Sequence, residues 1–377
     1  MKIGVIGYGK RIGNVISEVL KADADCRITA IVDVRKDEIK AQLDERGWKD
    51  ITYYETPEQM LASEQLDGAM IGTRCNLHTT MGLKVFKHHL PLYLEKPVAT
   101  NYEDLLRLKQ GYEAAASPVV VSFPLRATSI VELVKEIIQS GKIGTVEHVQ
   151  AINNVPYGRV YFQDWYRDEE VTGGLFLQKA THDFDYIQFV LGQNPINVAA
   201  MTSKQIFKGN KSAGLKCVDC EDNRTCLEST VTFTDDTDPS WQYCCYAEDT
   251  GNEDSGSALF RYKSGMHMSY SQNFFIRKGA AARGARFMGY KGTVEFDFYS
   301  GQVKVYMHHT ARVETYDLAA GSNHFGGDEK LARNFIEIMK GKASSISTLD
   351  DGLLSALMCM KAQESAQTGT FQDLVWT

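Results

Sequence analysis

Short apolar runs alternate with amphipathic segments along the first third of the chain. The apolar runs predict buried strands at Ile3–Ile6, Arg27–Asp33, Thr52–Glu55, Asp67–Ile71, Leu92–Leu94 and Val119–Ser122. Between them, apolar residues recur at three- and four-residue spacing, which predicts helices at Arg11–Lys21, Met81–His88 and Tyr102–Glu113. This alternation is typical of βαβ units, so residues 1–122 are predicted to form an α/β nucleotide-binding domain with a parallel sheet.

The pattern changes after Phe123. Strand-like runs rich in Val, Phe and Tyr follow one another without helical spacers, at Thr145–Ile152, Ser229–Thr234, Met266–Asn273, Ala285–Tyr290, Thr293–Phe298 and Gln302–Met307. Helical spacing is confined to Ser129–Ser140, Phe176–Leu191, Asp328–Met339 and Asp351–Gln367. Residues 123–377 are therefore predicted to be an α+β domain with an open, mainly antiparallel sheet, whose C-terminal helix returns to the first domain.

Composition narrows the class of protein. The 377 residues are 43% hydrophobic and 24% charged, which is ordinary for a globular protein and long enough for two domains. The net charge of −7 and the absence of basic runs argue against a nucleic-acid partner. No apolar stretch is long enough to span a bilayer, and because the apolar run Ile3–Tyr8 is short we expect no signal peptide ahead of the eight cysteines. We expect no membrane partner, reduced thiols and a cytoplasmic location.

A glycine-rich turn follows the first predicted strand, and the second strand ends at Asp33, 20 residues beyond Gly13. Gly7 permits a tight turn, Gly9 lets a pyrophosphate approach the backbone, and the next helix offers amide donors to the phosphates. This strand, turn, helix and acid predict a dinucleotide site formed by Gly7, Tyr8, Gly9, Lys10, Arg11, Ile12 and Asp33.

The details of this motif favour NAD over NADP. The carboxylate of Asp33 can accept hydrogen bonds from ribose hydroxyls and would repel a 2′-phosphate. Arg35, two residues later, keeps NADP open as an alternative. The pattern departs from the usual one at Ile12, which stands where the third glycine is expected.

Further motifs follow in a specific order. Thr73 to His78 come after the fourth strand, Glu95-Lys96-Pro97 after the fifth, then Gly173-Gly174 with a helix bearing His182, and finally His324-Phe325-Gly326-Gly327-Asp328. In this order the chain resembles the glucose-fructose oxidoreductase, inositol dehydrogenase and MocA family, written Gfo/Idh/MocA. The resemblance implies a Rossmann domain with an open antiparallel sheet, a sugar, cyclitol or glycoside substrate, and a homodimer or homotetramer.

The resemblance assigns roles to several side chains. Lys96 is expected to contact both substrate and nicotinamide, stabilising alkoxide charge, and the bond to Pro97 is expected to be cis. His182 is expected to be the catalytic base. The aspartate usual four residues before that histidine is here Gln178, which weakens the usual Asp-His relay, and Lys179 is the candidate to take part of its role.

The remaining candidates lie around these motifs. Thr73, Asn76 and His78 are expected to border the nicotinamide ribose together with Glu95 and Pro97, although His78 has a helix-capping alternative. Arg126, Tyr157 and Trp165 are candidates for the substrate wall, beside Lys96, Gln178, Lys179 and His182.

A cysteine cluster permits two interpretations. Cys217, Cys220 and Cys226 have a spacing compatible with structural zinc, with Cys244 or Cys245 as a fourth ligand. No histidine lies near, and reduced loop thiols are the simpler interpretation, so no metal is assigned.

Three functions remain open from the sequence. The first is an NAD-dependent dehydrogenase that moves a hydride to or from a secondary alcohol. The second is redox-assisted glycoside cleavage with tightly bound NAD, which gives turnover without net NADH. The third is a non-catalytic NAD-binding regulator, which the presence of both Lys96 and His182 argues against. The sequence does not name the sugar, the reacting carbon or the physiological direction.

Overall fold

The structure is a computed structural model that describes residues 1–232, 240–318 and 322–376, with only the backbone of Ser322 and Asn323. The strands are β1 Lys2–Ile6, β2 Arg27–Val32, β3 Thr52–Tyr54, β4 Gly68–Ile71, β5 Leu92–Leu94, β6 Val119–Val121, β7 Val146–Asn154, β8 Pro195–Ser203, β9 Ser255–Tyr262, β10 His267–Asn273, β11 Ala282–Gly289, β12 Gly292–Asp297, β13 Gln302–Met307, β14 Val313–Asp317 and β15 Gln372–Asp373. The α-helices are α1 Lys10–Ala22, α2 Lys36–Glu45, α3 Pro57–Ser63, α4 His78–Phe86, α5 Tyr102–Ala115, α6 Ser129–Gln139, α7 Val160–Gln163, α8 Glu169–Thr172, α9 Thr181–Leu191, α10 Ser322–Phe325, α11 Gly327–Met339 and α12 Leu349–Thr368.

The chain forms two compact units. The first, unit 1, comprises Met1–Glu132 and Ala320–Leu357, and the second, unit 2, comprises Leu133–Ala319 and Met358–Thr377. Helix α12 therefore begins in unit 1 and ends in unit 2. Within the described ranges, none of the helices combines the length and apolar character needed to cross a bilayer.

Unit 1 is built on a parallel sheet with the strand order β3-β2-β1-β4-β5-β6, the order of a doubly wound mononucleotide-binding fold. Helix α1 packs through an apolar stripe of Ile12, Val15, Ile16 and Val19 at helical spacing. The predicted parallel sheet is confirmed, with all six predicted strands present.

Unit 2 contains a nine-stranded sheet in the order β14-β13-β12-β11-β7-β10-β9-β8-β15. Neighbouring strands are antiparallel except for β7 and β10, which pair in parallel. Burial alternates along β9, so one face of the sheet is packed and the other is exposed. The predicted open, mainly antiparallel sheet is confirmed.

The predicted strand Ser229–Thr234 is wrong for residues 229–232, the part of it that the structure describes. Residues 229–232 form turns in which the amide of Ser229 bonds the carbonyl of Cys226 and the amide of Thr232 bonds that of Ser229. The hydroxyl of Ser229 also accepts the amide of Val231. These local bonds use the backbone groups that a sheet would need. Residues 233 and 234 lie outside the described ranges.

A second difference concerns the predicted helix Phe176–Leu191. It begins as a π-helical turn, Phe176–Ala180, and continues as α9. Every side chain from Phe176 to Gln188 is buried, the polar ones included. The polar residues of this segment therefore require partners inside unit 2.

Gly284 is required by the close approach of β11 and β12. A Cβ atom there would lie 1.9 Å from the carbonyl oxygen of Phe296, which belongs to the backbone and cannot rotate away. We expect Gly284→Ala to lower the free energy of unfolding by about 1–3 kcal/mol or more, as overpacking does. Gly279→Ala, where a Cβ atom meets nothing within 4 Å, is the matched control and should stay within about 0.5 kcal/mol. Urea unfolding measures both, and equal stabilities would contradict the observed register.

Candidate active site

The glycine turn of unit 1 lies where the strand order reverses, between β1 and β4. The amide of Gly7 bonds the carbonyl of Val32 at 2.8 Å, and the amide of Gly72 bonds the carbonyl of Ile6 at 2.9 Å. Gly7 has a φ of +79°, and a Cβ atom there would lie 2.7 Å from the backbone nitrogen of Thr73. In open α/β sheets this switch point is where nucleotides bind.

Gly9 leaves open space in front of helix α1. It is the N-cap residue, no side chain caps the helix, and a Cβ atom at Gly9 would meet only the carbonyl oxygen of Gly72, at 3.8 Å. A helix start of this kind fits a pyrophosphate group. Ile12 is buried against Gly72, so a contact of Ile12 with a cofactor would come from its backbone.

Asp33 holds the turn and retains acceptor capacity. Its carboxylate accepts the amide of Tyr8 at 2.7 Å and the amide of Arg35 at 2.8 Å. The guanidinium of Arg35 lies 3.6 Å from the same carboxylate and donates to the carbonyl of Tyr8 at 3.2 Å. A carboxylate has about four lone-pair sites, so two remain for ribose hydroxyls.

Arg11, predicted to contact the cofactor, is engaged within unit 1. Its guanidinium forms a bidentate pair with Asp328 at 2.6 and 2.8 Å, contacts Glu95 at 3.2 Å and donates to the hydroxyl of Ser122. Burial would raise the pKa of Asp328, but hydrogen bonds from His324 and Arg11 outweigh it and lower the pKa to about 2. Arg11 therefore connects the glycine turn, the Glu-Lys-Pro loop and the motif that ends at Asp328. Its contact with a cofactor stays a prediction.

The Glu-Lys-Pro loop follows β5 at the carboxyl edge of the sheet. The Lys96–Pro97 peptide bond is cis, as the resemblance implied. His78 is buried, with Nδ1 2.6 Å from the carbonyl oxygen of Pro97 and Nε2 3.2 Å from that of Thr73. Because burial lowers the pKa of His78, the neutral ring donates one N–H, and the shorter distance favours Pro97. His78 thus braces the loop that presents Lys96.

Two further predicted residues of unit 1 differ in exposure. Asn76 is exposed in a short 3₁₀ turn, Cys75–Leu77. Arg126 is buried, and its guanidinium bonds Asp351 at 2.8 Å and the carbonyl of Ile346 at 3.1 Å. Burial would raise the pKa of Asp351, but the charge of Arg126 holds it below the usual value. The charge of Arg126 is therefore already compensated.

In unit 2, the half-buried carboxylate of Glu253 holds the start of the π-helical turn. Glu253 accepts the amides of Leu175 at 3.2 Å and Phe176 at 2.9 Å, and burial raises the pKa of its carboxyl to about 7. Within the turn, the amide nitrogen of Gln178 donates to the carbonyl of Thr172 at 2.8 Å. Glu253 and Thr172 thus fix the segment that carries Lys179 and His182.

Asp183, the residue after His182, anchors helix α9. Its side chain is fully buried and accepts Asn153 at 2.7 Å, Tyr270 at 2.8 Å and the Nε of Arg283 at 2.8 Å. Removing one partner of such a pair costs about 3–5 kcal/mol, because a buried charge is left uncompensated. Asp183 therefore fixes the helix beneath His182.

Lys179 bonds a tyrosine from a distant part of unit 2. Its ammonium donates to the hydroxyl of Tyr157 at 2.6 Å and lies 4.6 Å from the centre of that ring. Lys179 is 7% exposed, whereas Tyr157 is 44% exposed. Trp165 stacks on Tyr166 with ring centres 3.8 Å apart. The structure thus joins two of the predicted residues, Lys179 and Tyr157, directly.

Sequence reasoning missed three residues of unit 2: Asp183, Arg283 and Glu253. A charged residue inside an apolar helical segment was the only local signal for Asp183. Arg283 and Glu253 lie 100 and 78 residues from their partners Asp183 and Leu175, so no local pattern connects them.

The cysteines are all free thiols. Cys217 opens a short 3₁₀ turn, and its Sγ donates to the carbonyl of Tyr243 at 3.6 Å. Burial raises the pKa of Cys244. Across residues 1–232, 240–318 and 322–376, no three His, Cys, Asp or Glu side chains are grouped so that they could hold a metal ion.

The fold and the glycine turn define a dinucleotide-binding protein. Residues 1–123 match the oxidoreductase family NAD-binding Rossmann fold, and residues 135–374 match the C-terminal alpha/beta domain of the same family, GFO_IDH_MocA. The chain belongs to the Gfo/Idh/MocA oxidoreductase family.

Known relatives and structures agree with this assignment. The chain is similar to myo-inositol 2-dehydrogenase of Thermotoga maritima, with 28% identity over 53% of this chain and 58% of the relative. Inositol 2-dehydrogenase of Rhizobium meliloti is 25% identical over 57% of this chain and 62% of the relative. The matches thus span about three fifths of these relatives.

Among solved structures, the fold resembles the WlbA dehydrogenase of Bordetella pertussis in complex with NADH and UDP-GlcNAcA. The TM-score is 0.74 at 20% identity, covering 100% of this chain and 99% of that one. This likeness shows a shared fold.

The two glycines of the turn are expected to respond differently to alanine. Gly7→Ala should destabilise unit 1 by about 1–3 kcal/mol, because its φ is positive and the Cβ atom overlaps Thr73. Gly9→Ala should fold normally, because the space around it is open. If pyrophosphate fills that space, it overlaps with the added methyl group at a cost of about 1–3 kcal/mol. This cost raises the Kd for NAD roughly 10- to 100-fold. Thermal unfolding and calorimetric titration separate the two effects, and unchanged NAD binding by Gly9→Ala would exclude this cradle.

Proposed function

We propose that the protein is an NAD-dependent dehydrogenase that oxidises or reduces a secondary alcohol of a sugar, cyclitol or glycoside. The observation that carries the proposal is Lys96, presented on a braced cis-proline loop at the same sheet edge as the glycine turn. Membership of the oxidoreductase family supports hydride transfer, and the relatives named inositol dehydrogenases support a polyhydroxylated substrate.

The residues of unit 1 are proposed to hold the cofactor. The backbone from Gly7 to Ile12 binds the pyrophosphate, Asp33 accepts the ribose hydroxyls, and Thr73 and Asn76 border the nicotinamide. When bound, NAD supplies the hydride acceptor. Arg11 and His78 contribute by fixing the turn and the loop around it.

Lys96 and His182 are proposed to act on the reacting hydroxyl. The ammonium of Lys96 stabilises the negative charge that develops on the oxygen as the hydride leaves the carbon. The imidazole of His182 is proposed to hydrogen-bond the substrate hydroxyl, and Asp183, the next residue along α9, anchors the helix that carries it. Tyr157 and Trp165 offer aromatic surface to the apolar face of a sugar ring.

A cytoplasmic homo-oligomer is part of the proposal. Large apolar side chains are exposed on the strands of the unit 2 sheet, namely Ile152, Met201 and Leu259, at 42%, 79% and 52%. An exposed apolar sheet face is a common contact between copies of a chain. The free thiols agree with a reducing compartment.

A substrate screen tests the reaction. The purified protein is incubated with NAD, then NADP, and a panel of hexoses, cyclitols and glycosides, and NADH is followed by absorbance. Lys96→Met and His182→Ala should each lower kcat by about 10²-fold or more, because each removes a contact to the reacting oxygen, while the Kd for NAD changes little. Lys87→Met, an exposed lysine of unit 1, is the control.

The outcomes of the screen are distinct. Full activity of both variants would show that the reacting hydroxyl lies elsewhere. Glycoside cleavage without net NADH would support the bound-cofactor mechanism. NAD binding without any turnover would support a regulator.

Asp33 is expected to set the cofactor preference. Asp33→Asn keeps an acceptor for the turn and removes the charge, and the loss of charged hydrogen bonds of about 1.5–3 kcal/mol should weaken NAD binding roughly 10- to 100-fold. Binding of NADP should be unchanged or stronger. Calorimetric titration with both cofactors measures the ratio, with the exposed Asp37→Asn as control. A constant ratio would place the ribose contact at another residue.

A further inference from the structure

The environment of Lys179 is unusual for a buried ammonium group. At 7% exposure, a lysine normally requires a carboxylate partner. Among the described residues no carboxylate lies within ion-pair distance of Lys179, and its hydrogen-bond partner is the hydroxyl of Tyr157 at 2.6 Å. The nearby carboxylate of Asp183 is already bonded by Arg283, Asn153 and Tyr270. A phenolate at Tyr157 would supply the missing negative charge.

Tyr157 is surrounded by charged and titratable groups from several elements of unit 2. These groups are Lys179 on the π-helical turn, Asp183 on α9, Arg283 on β11, Tyr161 on α7, and Tyr299 after β12, with Asp297 bonded to the amide of Arg283. Burial raises the pKa of the Tyr157 phenol, but the charges of Lys179 and Arg283 outweigh it and hold the pKa below its usual value. Burial instead raises the pKa of Tyr161 and of Tyr299.

The charge balance distinguishes two candidate bases. The charged groups that act on the Tyr157 phenol are two cations, Lys179 and Arg283, and one anion, Asp183. Ionising Tyr157 would neutralise the net positive charge of these groups. Gln178 cannot help His182, because a neutral amide does not stabilise an imidazolium as a carboxylate does.

We propose that Tyr157, hydrogen-bonded by Lys179, is the general base and acid of the reaction, and that His182 orients the substrate oxygen. The inference rests on the proposed function. In the oxidation, the C–H hydride passes to NAD⁺, the O–H proton passes to the Tyr157 phenolate, and the products are a ketone, NADH and the neutral phenol. In the reduction, the phenol returns that proton to the oxygen. Tyr157 is 44% exposed, so a solute can reach its side chain.

Phenolate absorbance tests the pair without turnover. In an ultraviolet pH titration, one tyrosine of the wild type should ionise below the usual pH of about 10. Tyr157→Phe should remove that ionisation. Lys179→Met should move it up by about 1–3 pH units, because the neighbouring cation is lost. Tyr299→Phe, an equally exposed tyrosine at 44%, is the control and should leave it in place. If Tyr157→Phe removes no early ionisation, the proposal is overturned.

The pH dependence of kcat/KM then tests the role in catalysis. For oxidation, wild-type kcat/KM should rise with pH through the same early ionisation, since the phenolate is the active form. Tyr157→Phe should lower kcat/KM by about 10²-fold or more and abolish this rise, and Lys179→Met should shift it upward. His182→Ala should lower the rate but keep the rise at the same pH.

The two proposals can fail separately. Wild-type turnover with NAD establishes the dehydrogenase by itself. If turnover is present and Tyr157→Phe keeps the same pH dependence, the base is another group and the proposed function stands. A rise that disappears only in His182→Ala would return the role to the histidine.

Discussion

The arrangement of unit 1 depends on one arginine. Arg11 leaves helix α1 immediately after the glycine turn and binds Asp328, 317 residues later in the chain, while its Nε contacts Glu95. This guanidinium therefore fixes the start of α1, the Glu-Lys-Pro loop and the start of α11 relative to one another. The planar guanidinium binds one carboxylate through two N–H groups while its Nε contacts the second, a fork geometry that a lysine ammonium does not have.

Unit 2 contains an analogous constraint, the ion pair of Asp183 and Arg283 beneath helix α9. Each of the two charges compensates the other for the water that it loses on burial. Because both charges are satisfied, the helix is held in one position despite its buried polar residues. The same constraint leaves Lys179 without a carboxylate and places a phenol beside it. The chemistry that we propose for Tyr157 is thus a consequence of how the charges of the core are paired.

Much of the fold was predictable because the spacing of apolar residues along a helix or strand shows which of its side chains are buried. The strands of unit 1 are apolar runs bounded by turns, and α1 has a regular stripe, so pattern alone located them. The strands β8, β9 and β14 were missed, since glycine, alanine and polar residues interrupt the apolar positions along them. The segment Phe176–Leu191 was predicted as helical, but the burial of every side chain from Phe176 to Gln188 was not, because polar residues such as Asp183 find their partners only in the folded protein.

The sequence by itself determined the family, the nucleotide-binding turn and the cis-proline loop with its lysine, because these depend on residues that are neighbours along the chain. Tertiary structure alone decided what the charged groups do. Arg11 and Arg126 are engaged in ion pairs within unit 1, and Lys179 meets Tyr157 instead of a carboxylate. The physical reason is that the partner of a buried charge is set by distance in space, and the partners here lie up to 317 residues apart.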